Sequence, residues 1–394
     1  MRALLKDLSP STLVAGFVAV LVGYTSSVAI IFQATVALGA TPAQTASWLW
    51  ALGLGMGLTS LGLSLWTRQP VLTAWSTPGA ALLASTSGLD MPEAVGAFIV
   101  CGLLIAWAGA SGWFEKLMDR IPVAIASALL AGVLARFGLD AVASVKTAPA
   151  LVLAMAAAYL PGRRLWPRYA VPGVLLVGIA WALGEGRLDF TGLDPARMLA
   201  LPVWTAPVFS WHAAVGVALP LFIVTMASQN LPGVAAQRAN GYATPVSASI
   251  AVTGAATTLL APLGGYAFNL AAITAAICMG REAHEDAARR YTASAAAGLF
   301  YVLMGLAGGA VAMLLGAFPR ELILAIAGLA LLGTIASALA AALKDEAHRD
   351  AALLTFLVCL SGISVLGIGA AFWGVVAGGV ATLVAGWRRA PVQH

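Results

Sequence analysis

The chain has 394 residues, of which 61% are hydrophobic and only 9% are charged, and its mean hydropathy is +0.93. This composition excludes a soluble globular protein, so we predict an all-α polytopic membrane protein. The formal net charge of +5 is explained by basic loops at one membrane face, and it requires no nucleic-acid partner.

Apolar stretches separated by charged or Pro/Gly-rich breaks predict about fourteen transmembrane segments. The first seven are 12–37, 43–66, 70–87, 92–114, 121–137, 139–160 and 169–183. The second seven are 211–234, 243–263, 264–279, 291–318, 321–343, 351–366 and 367–387. We therefore expect one repeat at 1–190, a connecting segment at 191–210 and a second repeat at 211–394.

The basic residues agree with this number of segments. With a cytoplasmic N-terminus, the predicted cytoplasmic face holds sixteen of the 21 Lys and Arg residues. The opposite face holds only five: Arg136, Lys146, Arg187, Arg197 and Arg320. Because cytoplasmic loops of membrane proteins are enriched in Lys and Arg, we predict that both termini are cytoplasmic. No Asp or Glu lies deep in a predicted segment.

The third predicted segment contains what looks like the start of a helix. Ser76 and Thr77 are favoured N-cap residues, Pro78 suits the first helical position, and small residues follow from Gly79. A helix that begins inside a membrane directs free N–H groups and the positive end of its dipole to that point. The stretch therefore predicts one half of an anion-binding site.

The tenth predicted segment is interrupted in a similar way by the stretch 262–269. Seven segments in each half would insert the second half upside down relative to the first, as in the inverted repeats of secondary transporters. Short interrupted segments at corresponding positions of such repeats indicate a binding site at the midplane. We therefore expect 268–270 to open a second half-helix, which crosses the first one there.

Polar and aromatic side chains near the breaks are further candidates for this site. Gln229 and Asn230 are adjacent amides in an apolar segment, so they face the protein interior, either as ligand contacts or as interhelical hydrogen-bond partners. Ser76, Thr77 and Asn269 either cap the half-helices or contact the ligand. Aromatic rings beside the breaks suggest a small anion with an apolar or aromatic body. The remaining candidates are Tyr24, Ser27, Trp75, Tyr266 and Phe268.

We predict no catalytic, metal or cofactor site. The three cysteines lie far apart in apolar runs, and the four histidines lack zinc-like spacing. The chain contains no phosphate-binding Gly-Lys-Ser/Thr sequence, which argues against an ATP-driven pump. No nucleophile has a plausible base, so the sequence disfavours an enzyme.

Several stretches together resemble the benzoate:proton symporter family of bacteria (BenE) over nearly the whole chain. They are AGFVAVLVGYTSSVAIIFQA, WLWALGLGMGLTSLGLSL, PVLTAWSTPGAALLA, LPLFIVTMASQNLPGV, GGYAFNLAAITAAICMG and GIGAAFWGVVAG. The resemblance implies proton-driven import of benzoate or a related aromatic carboxylate across the bacterial inner membrane. The expected partners are that carboxylate, protons and the lipid bilayer, with a homodimer as a further expectation.

The spacing of the breaks is also similar, more distantly, to the nucleobase and sulfate transporter fold of fourteen spans. That similarity implies a core domain at 12–114 and 211–318, a gate domain at 121–183 and 321–387, and substrate between the half-helices and the eighth span. Nucleobase carriers of this fold typically have a carboxylate on the eighth span. The amides Gln229 and Asn230 stand there in this chain, which suits an anion better.

Other functions remain open on the sequence alone. A carrier for another small organic anion or for a nucleobase is the main alternative to a benzoate symporter. An anion channel of the same fold is a further alternative. Without an acid deep in a span, the proton has no evident carrier, so we expect it to move on the substrate carboxylate or on the loop-proximal Asp90 or Glu93.

Overall fold

The computed structural model describes residues 7–86, 88–113, 123–191, 194, 197–243, 245–365 and 368–387. The helices of the first half are α1 (Pro10–Ala37), α2 (Pro42–Thr67), α3 (Thr77–Ser85), α4 (Met91–Ala110), α5 (Val123–Ala143), α6 (Pro149–Leu165) and α7 (Ala170–Gly184). Those of the second half are α8 (Trp211–Arg238), α9 (Val246–Leu260), α10 (Ile273–Met279), α11 (Tyr291–Leu306), α12 (Gly308–Gly316), α13 (Arg320–Lys344), α14 (Arg349–Ser361) and α15 (Ala370–Trp387). Four two-residue strands are β1 (Thr73–Ala74), β2 (Asn269–Leu270), β3 (Ser364–Val365) and β4 (Ile368–Gly369).

The mostly helical, polytopic architecture expected from the composition is confirmed. Among the described residues, six helices are long and apolar enough to cross a membrane, namely α2, α4, α5, α8, α9 and α13. The number rises to eight if two bent helical stretches are each one span. One is α1, bent by 41°, and the other is α11 with α12, bent by 60°.

Side-chain caps explain where several helices begin. Ser9 and Thr41 form capping boxes at the starts of α1 and α2. Ser76, Asp90 and Ser210 each accept a hydrogen bond from a backbone N–H in the first turn of α3, α4 and α8, respectively. Such caps satisfy N–H groups that have no partner within the helix.

One predicted boundary is wrong. The fifth segment is predicted to end at Phe137 and the sixth to begin at Leu139, but α5 continues through Gly138 to Ala143. A single glycine within a helix costs only about 1 kcal/mol relative to alanine, and tertiary packing along α13 outweighs this cost. The predicted segment ends at 87, 114, 121, 366 and 367 lie outside the described residues.

The helices pack in two groups. In one group, α2 packs along α11, α4 along α9, and α1 against α3 and α11. In the other, α5 packs along α13 and α14, α14 along α15, and α6 along α7. Glycines let α2 and α11 approach each other closely, since a Cβ added at Gly53 would lie 2.4 Å from the Cα of Gly305. Small residues at such crossings let membrane helices gain van der Waals contact.

The crossing of α2 and α11 yields the first testable prediction. Gly53→Ala places a methyl group against backbone and should destabilise the protein by about 1–3 kcal/mol. Gly62→Ala, on the same helix, adds a methyl group where nothing lies within 4 Å, so it should leave stability unchanged or raise it. Thermal unfolding of the detergent-purified variants measures the difference, and equal shifts in the two variants would contradict the packing described here.

Candidate functional site

The two interrupted segments meet through their backbones. β1 and β2 pair antiparallel, with Thr73 opposite Leu270 and Ala74 opposite Asn269. The pairing continues where the N–H of Ala271 donates to the carbonyl oxygen of Leu72 at 2.9 Å. Since α3 follows β1 and α10 follows β2, the starts of both short helices are held at one place.

Ser76 fixes the start of α3. Its Oγ accepts a hydrogen bond from the N–H of Gly79 at 3.1 Å and another from the hydroxyl of Thr225 at 3.0 Å. Its carbonyl oxygen accepts a third from the hydroxyl of Tyr266, also at 3.0 Å. The Ser76 side chain is fully buried, so of the two roles left open by the sequence, the structure gives it the capping role.

Thr77 and Gln229 are two polar residues near the β1–β2 pair whose side chains are unpartnered among the described residues. Thr77 is the first residue of α3, which puts Pro78 at the second helical position and not at the predicted first one. Gln229 lies in a π-helical turn, Met226–Asn230, within α8. Both residues are half-buried, and neither side chain has a hydrogen-bond partner among the described residues. Because they are half-buried and unpartnered, these two side chains are available to a ligand. Gln229 in addition lies in a π turn, a feature that often marks functional sites.

Asn230, the neighbour of Gln229, serves the fold. Its Oδ1 accepts a hydrogen bond from the N–H of Leu270 at 2.9 Å, and its Nδ2 donates to Sδ of Met226 at 3.1 Å. The residue is fully buried, and it joins α8 to β2. Of the two alternatives for this amide, the structure therefore supports the interhelical hydrogen bond.

The predicted opening of the second half-helix at 268–270 is wrong by several residues. Asn269 and Leu270 form β2, and α10 begins only at Ile273. The extended conformation wins because partners from other elements stabilise it. One of them is Thr257, whose Oγ1 accepts a hydrogen bond from the N–H of Phe268 at 3.0 Å. The amide of Asn269 donates to the carbonyl oxygen of Ala267 at 3.1 Å, and Asn269 does not cap α10.

The start of α10 lacks the side-chain cap that Ser76 provides at the start of α3. Its N-cap residue is Ala272, which has no side chain able to accept a hydrogen bond. Ile273, the first residue of this helix, is 77% exposed. In addition, Oδ1 of Asn269 is buried without a hydrogen-bond partner among the described residues. The first N–H groups of α10 therefore receive no hydrogen bond from an N-cap side chain.

The predicted aromatic residues are all buried, and they divide into two clusters. In the first, the indole N–H of Trp75 donates to Oγ of Ser27 at 2.9 Å, and the ring of Tyr24 lies edge-on to Trp75 at 5.0 Å. The hydroxyl of Tyr24 has no partner among the described residues. In the second, the ring of Tyr266 lies 5.5 Å from those of Trp48 and Phe98.

Phe268 packs tightly as well. Its ring fills the space above Gly55 of α2, since a Cβ added at Gly55 would come within 2.1 Å of the ring. Gly79 is also buried, and a Cβ added there would meet the side chain of Leu221 at 2.4 Å. Tyr266 and Phe268 therefore contribute to the packing around the site, and Gly79 permits the close approach of Leu221.

A cavity of about 320 Å³ opens beside the π turn. Ala227 and Ser228 line it from α8, and residues of α5 and α13 line it from the other helix group, among them Ser127, Thr334 and Ser337. Its volume lies in the range of small-molecule sites. The described residues contain no group of three His, Cys, Asp or Glu side chains that could hold a metal ion.

Comparison with known proteins gives the family. The profile of the benzoate membrane transport protein family, BenE, matches residues 6–384. The chain belongs to this family. It is 49% identical over 381 residues to the inner membrane protein YdcO of Escherichia coli (strain K12), covering 96% of this chain and 97% of that protein. It is 40% identical over 385 residues to a benzoate membrane transport protein of Acinetobacter baylyi, covering 98% and 97%.

Solved structures support the fold of this BenE-family chain. The overall structure of SLC26A9 superposes with a TM-score of 0.68 at 12% identity, covering 96% of this chain and 66% of that one. The transmembrane domain of the cyanobacterial bicarbonate transporter BicA superposes with a TM-score of 0.58 at 14% identity, covering 95% and 96%. With the family, this fold makes the chain a membrane transporter and not an enzyme.

Several hydroxyl groups that support the site were missed as candidates from the sequence. The Oγ1 of Thr73 lies 2.6 Å from Oγ1 of Thr59 and 2.8 Å from Oγ of Ser60, which ties β1 to α2. The hydroxyl of Thr225 donates to Oγ of Ser76 in the first broken segment, and Oγ1 of Thr257 accepts from the N–H of Phe268 in the second. Ser and Thr are common in membrane helices and often form hydrogen bonds with their own backbone. Neither the type nor the position of these residues therefore distinguishes them in the sequence.

The adjacent amides of α8 allow a paired test of stability. Asn230→Ala leaves the buried N–H of Leu270 without its acceptor and should lower the free energy of unfolding by about 1–3 kcal/mol. Gln229→Ala removes no hydrogen bond within the described residues and should change it by less than about 0.5 kcal/mol. Thermal unfolding in detergent measures both variants. A Gln229→Ala loss as large as that of Asn230→Ala would contradict the assignment of the two amides.

Proposed function

We propose that this BenE-family transporter imports benzoate or a related aromatic carboxylate together with protons by alternating access. The observation that carries the proposal is the meeting of α3 and α10 at the β1–β2 pair, beside the open side chains of Thr77 and Gln229. Backbone N–H groups at a helix N-terminus bind anions. The family, and the name of its Acinetobacter member, supply benzoate as the substrate.

The proposed topology is two inverted repeats of seven spans with both termini in the cytoplasm. The occurrence of a strand followed by a short helix in each half supports the repeat, and the distribution of basic residues supports the orientation. The core domain is then 12–114 with 211–318, and the gate domain is 121–183 with 321–387. The two groups of mutually packed helices support this division. One chain provides all the proposed contacts, so the mechanism does not depend on the homodimer.

In the proposed bound state, the carboxylate accepts hydrogen bonds from the open N–H groups of α10, the amide of Gln229 and the hydroxyl of Thr77. The ring lies toward the apolar side of the cavity beside Ala227. A neutral amide on α8 suits this ligand because a carboxylate there would repel it. SLC26A9 and BicA are named as anion and bicarbonate transporters, which favours an anion over a nucleobase.

The substrate is proposed to bind as the anion, and the proton is proposed to join its carboxylate afterwards and to cross the membrane on it. The alternative carrier Asp90 caps α4, because its Oδ1 accepts a hydrogen bond from the N–H of Glu93 at 2.9 Å. Moving Asp90 into the pathway would remove a cap worth about 1 kcal/mol. The substrate-carried route needs no such rearrangement.

Counterflow of labelled benzoate in proteoliposomes tests the site. Gln229→Leu removes an amide donor and should raise the half-saturation concentration about tenfold, equivalent to about 1.4 kcal/mol. Gln229→Glu keeps the shape but adds a like charge, and it should be more severe than Gln229→Leu near neutral pH. Thr77→Ser, which keeps the hydroxyl, serves as the mild control. Equal activity of Gln229→Glu and the unaltered protein would reject the anion site.

The same vesicles distinguish the alternatives. Saturable counterflow is expected of a carrier, whereas a channel shows only downhill flux. Unlabelled benzoate and substituted benzoates should compete with labelled benzoate, and uracil and sulfate should not. If uracil competes and the substituted benzoates do not, the result would support a nucleobase carrier.

Proton coupling is tested with an imposed pH gradient. Vesicles with an alkaline interior should accumulate benzoate above the external concentration, and reversal of the gradient should abolish this accumulation. Protein-free vesicles control for passive entry of the protonated acid. The Asp90→Asn, Glu93→Gln double variant should retain coupling if the substrate carries the proton. Uptake that is independent of a gradient of either sign would refute coupling.

A further inference from the structure

A second and larger cavity, of about 630 Å³, lies beside the C-terminal part of α5 and the start of α13. It is bounded by the last residues of α3, Ala84 and Ser85, by the end of α1, and by α5 and α13 of the other helix group. It therefore lies between the two helix groups, at the opposite ends of α5 and α13 from the 320 Å³ cavity. In the proposed topology, these ends face away from the cytoplasm.

The charges in this larger cavity favour an anion. Arg136 and Arg320 line it together with Asp140, which gives a net charge of +1. None of these three side chains has a hydrogen bond or ion pair among the described residues. Arg136 is half-buried and packs against backbone, since a Cβ added at Gly362 would come within 1.7 Å of its Nη1.

Of the three other cations predicted on the same face, Lys146 is exposed and the two arginines are paired. Arg187 donates to Oε2 of Glu321 at 2.8 Å, and Arg197 lies 3.3 Å from Oδ2 of Asp194. Arg136 and Arg320 therefore differ from Arg187 and Arg197 in having no acidic partner among the described residues. Both unpaired arginines line the cavity between the two helix groups.

An amide donor and three aromatic rings complete the lining. Nε2 of Gln33 is buried without a hydrogen-bond partner among the described residues, and a buried donor left in this state costs about as much as a lost hydrogen bond. Phe32, Phe137 and Phe318 line the same space. The cavity thus offers a guanidinium and an amide for a carboxylate, with apolar rings for an aromatic body.

We propose that this cavity is a capture site, where an aromatic monocarboxylate binds to Arg136 and Gln33 before it reaches Thr77 and Gln229. The proposal rests on the proposed function for its substrate class. Charges at the mouth of a binding site act mainly on the association rate and on its dependence on salt. Arg136 therefore sets how readily the anion enters, while the groups at the starts of α3 and α10 hold it during translocation.

A cysteine placed in the cavity provides a readout that is independent of transport. Gly316 lines the same space, and a Cβ added there meets nothing within 4 Å. The native cysteines Cys101, Cys278 and Cys359 are buried, so the G316C variant presents one accessible thiol among the described residues. Its modification rates with an anionic and a cationic thiosulfonate reagent report the local potential. The experiment uses the full-length protein in liposomes.

The expected results follow from the charge of Arg136. Adding Arg136→Gln to G316C should lower the ratio of anionic to cationic modification rates about tenfold. Benzoate should slow modification of G316C but not of the double variant. In counterflow, Arg136→Gln should raise the half-saturation concentration about five- to tenfold with little change in maximal rate, and Arg136→Lys should do so less. Arg197→Gln is the matched control, because Arg197 is 80% exposed, is paired and lies outside the cavity.

The outcomes separate this proposal from the proposed function. Protection of the thiol by benzoate without any counterflow would reject benzoate transport and retain the capture site. Counterflow with no protection, and with a modification ratio unaffected by Arg136→Gln, would overturn the capture site and retain the transport function. Equal effects of Arg136→Gln and Arg197→Gln would also overturn it, since they would indicate a general surface potential.

Discussion

The structure depends on the backbone pairing of β1 with β2. Helical backbone satisfies its own hydrogen bonds, but extended backbone within an apolar bundle must find partners elsewhere, and each buried group left unpaired costs several kcal/mol. The chain meets this constraint by pairing its two interruptions with each other. Side chains from α2, α8 and α9 then satisfy what remains, through Ser60 at Thr73, Asn230 at Leu270 and Thr257 at Phe268. The starts of α3 and α10 lie together because the extended backbone of each broken segment provides hydrogen-bond partners for the other.

This constraint divides the polar residues of the region into two kinds. Ser76 and Asn230 are fully buried, and their hydrogen bonds hold the broken backbone in place. Thr77 and Gln229 follow or precede them directly in the chain, are half-buried, and lack partners among the described residues. Neighbouring residues of a helix point in directions about 100° apart, so one member of each pair can face the scaffold and the other the opening. A rigid support beside an unpartnered donor is the arrangement that preorganises a binding site.

Much of this arrangement could be predicted from local sequence, but the long-range partners could not. Ser76 and the residues that follow it carry the caps and small side chains of a helix start, and α3 begins there. The stretch at Asn269 carries similar signals, yet it is a strand, because Asn230 lies 40 residues away and β1 lies in the other half of the chain. The same limit applies to Ser76, whose carbonyl is paired with Tyr266 from 190 residues away. A local pattern specifies what a residue is able to do, and the distant partner determines which of its possible roles it adopts.

The two cavities suggest a physical reason for the distribution of charge along the proposed path. At the larger cavity, the full charges of Arg136 and Arg320 act over a distance of about 8–10 Å and attract an anion from solution. At the junction of α3 and α10, the described residues offer the partial charges of N–H groups and neutral side chains. A buried, unpaired cation at that junction would be costly whenever the site is empty, and it would hold a carboxylate too tightly for release. Weak, distributed donors avoid both problems. On the proposed path, the strong charge thus lies where the anion would enter, and the weaker donors lie where it would have to be released.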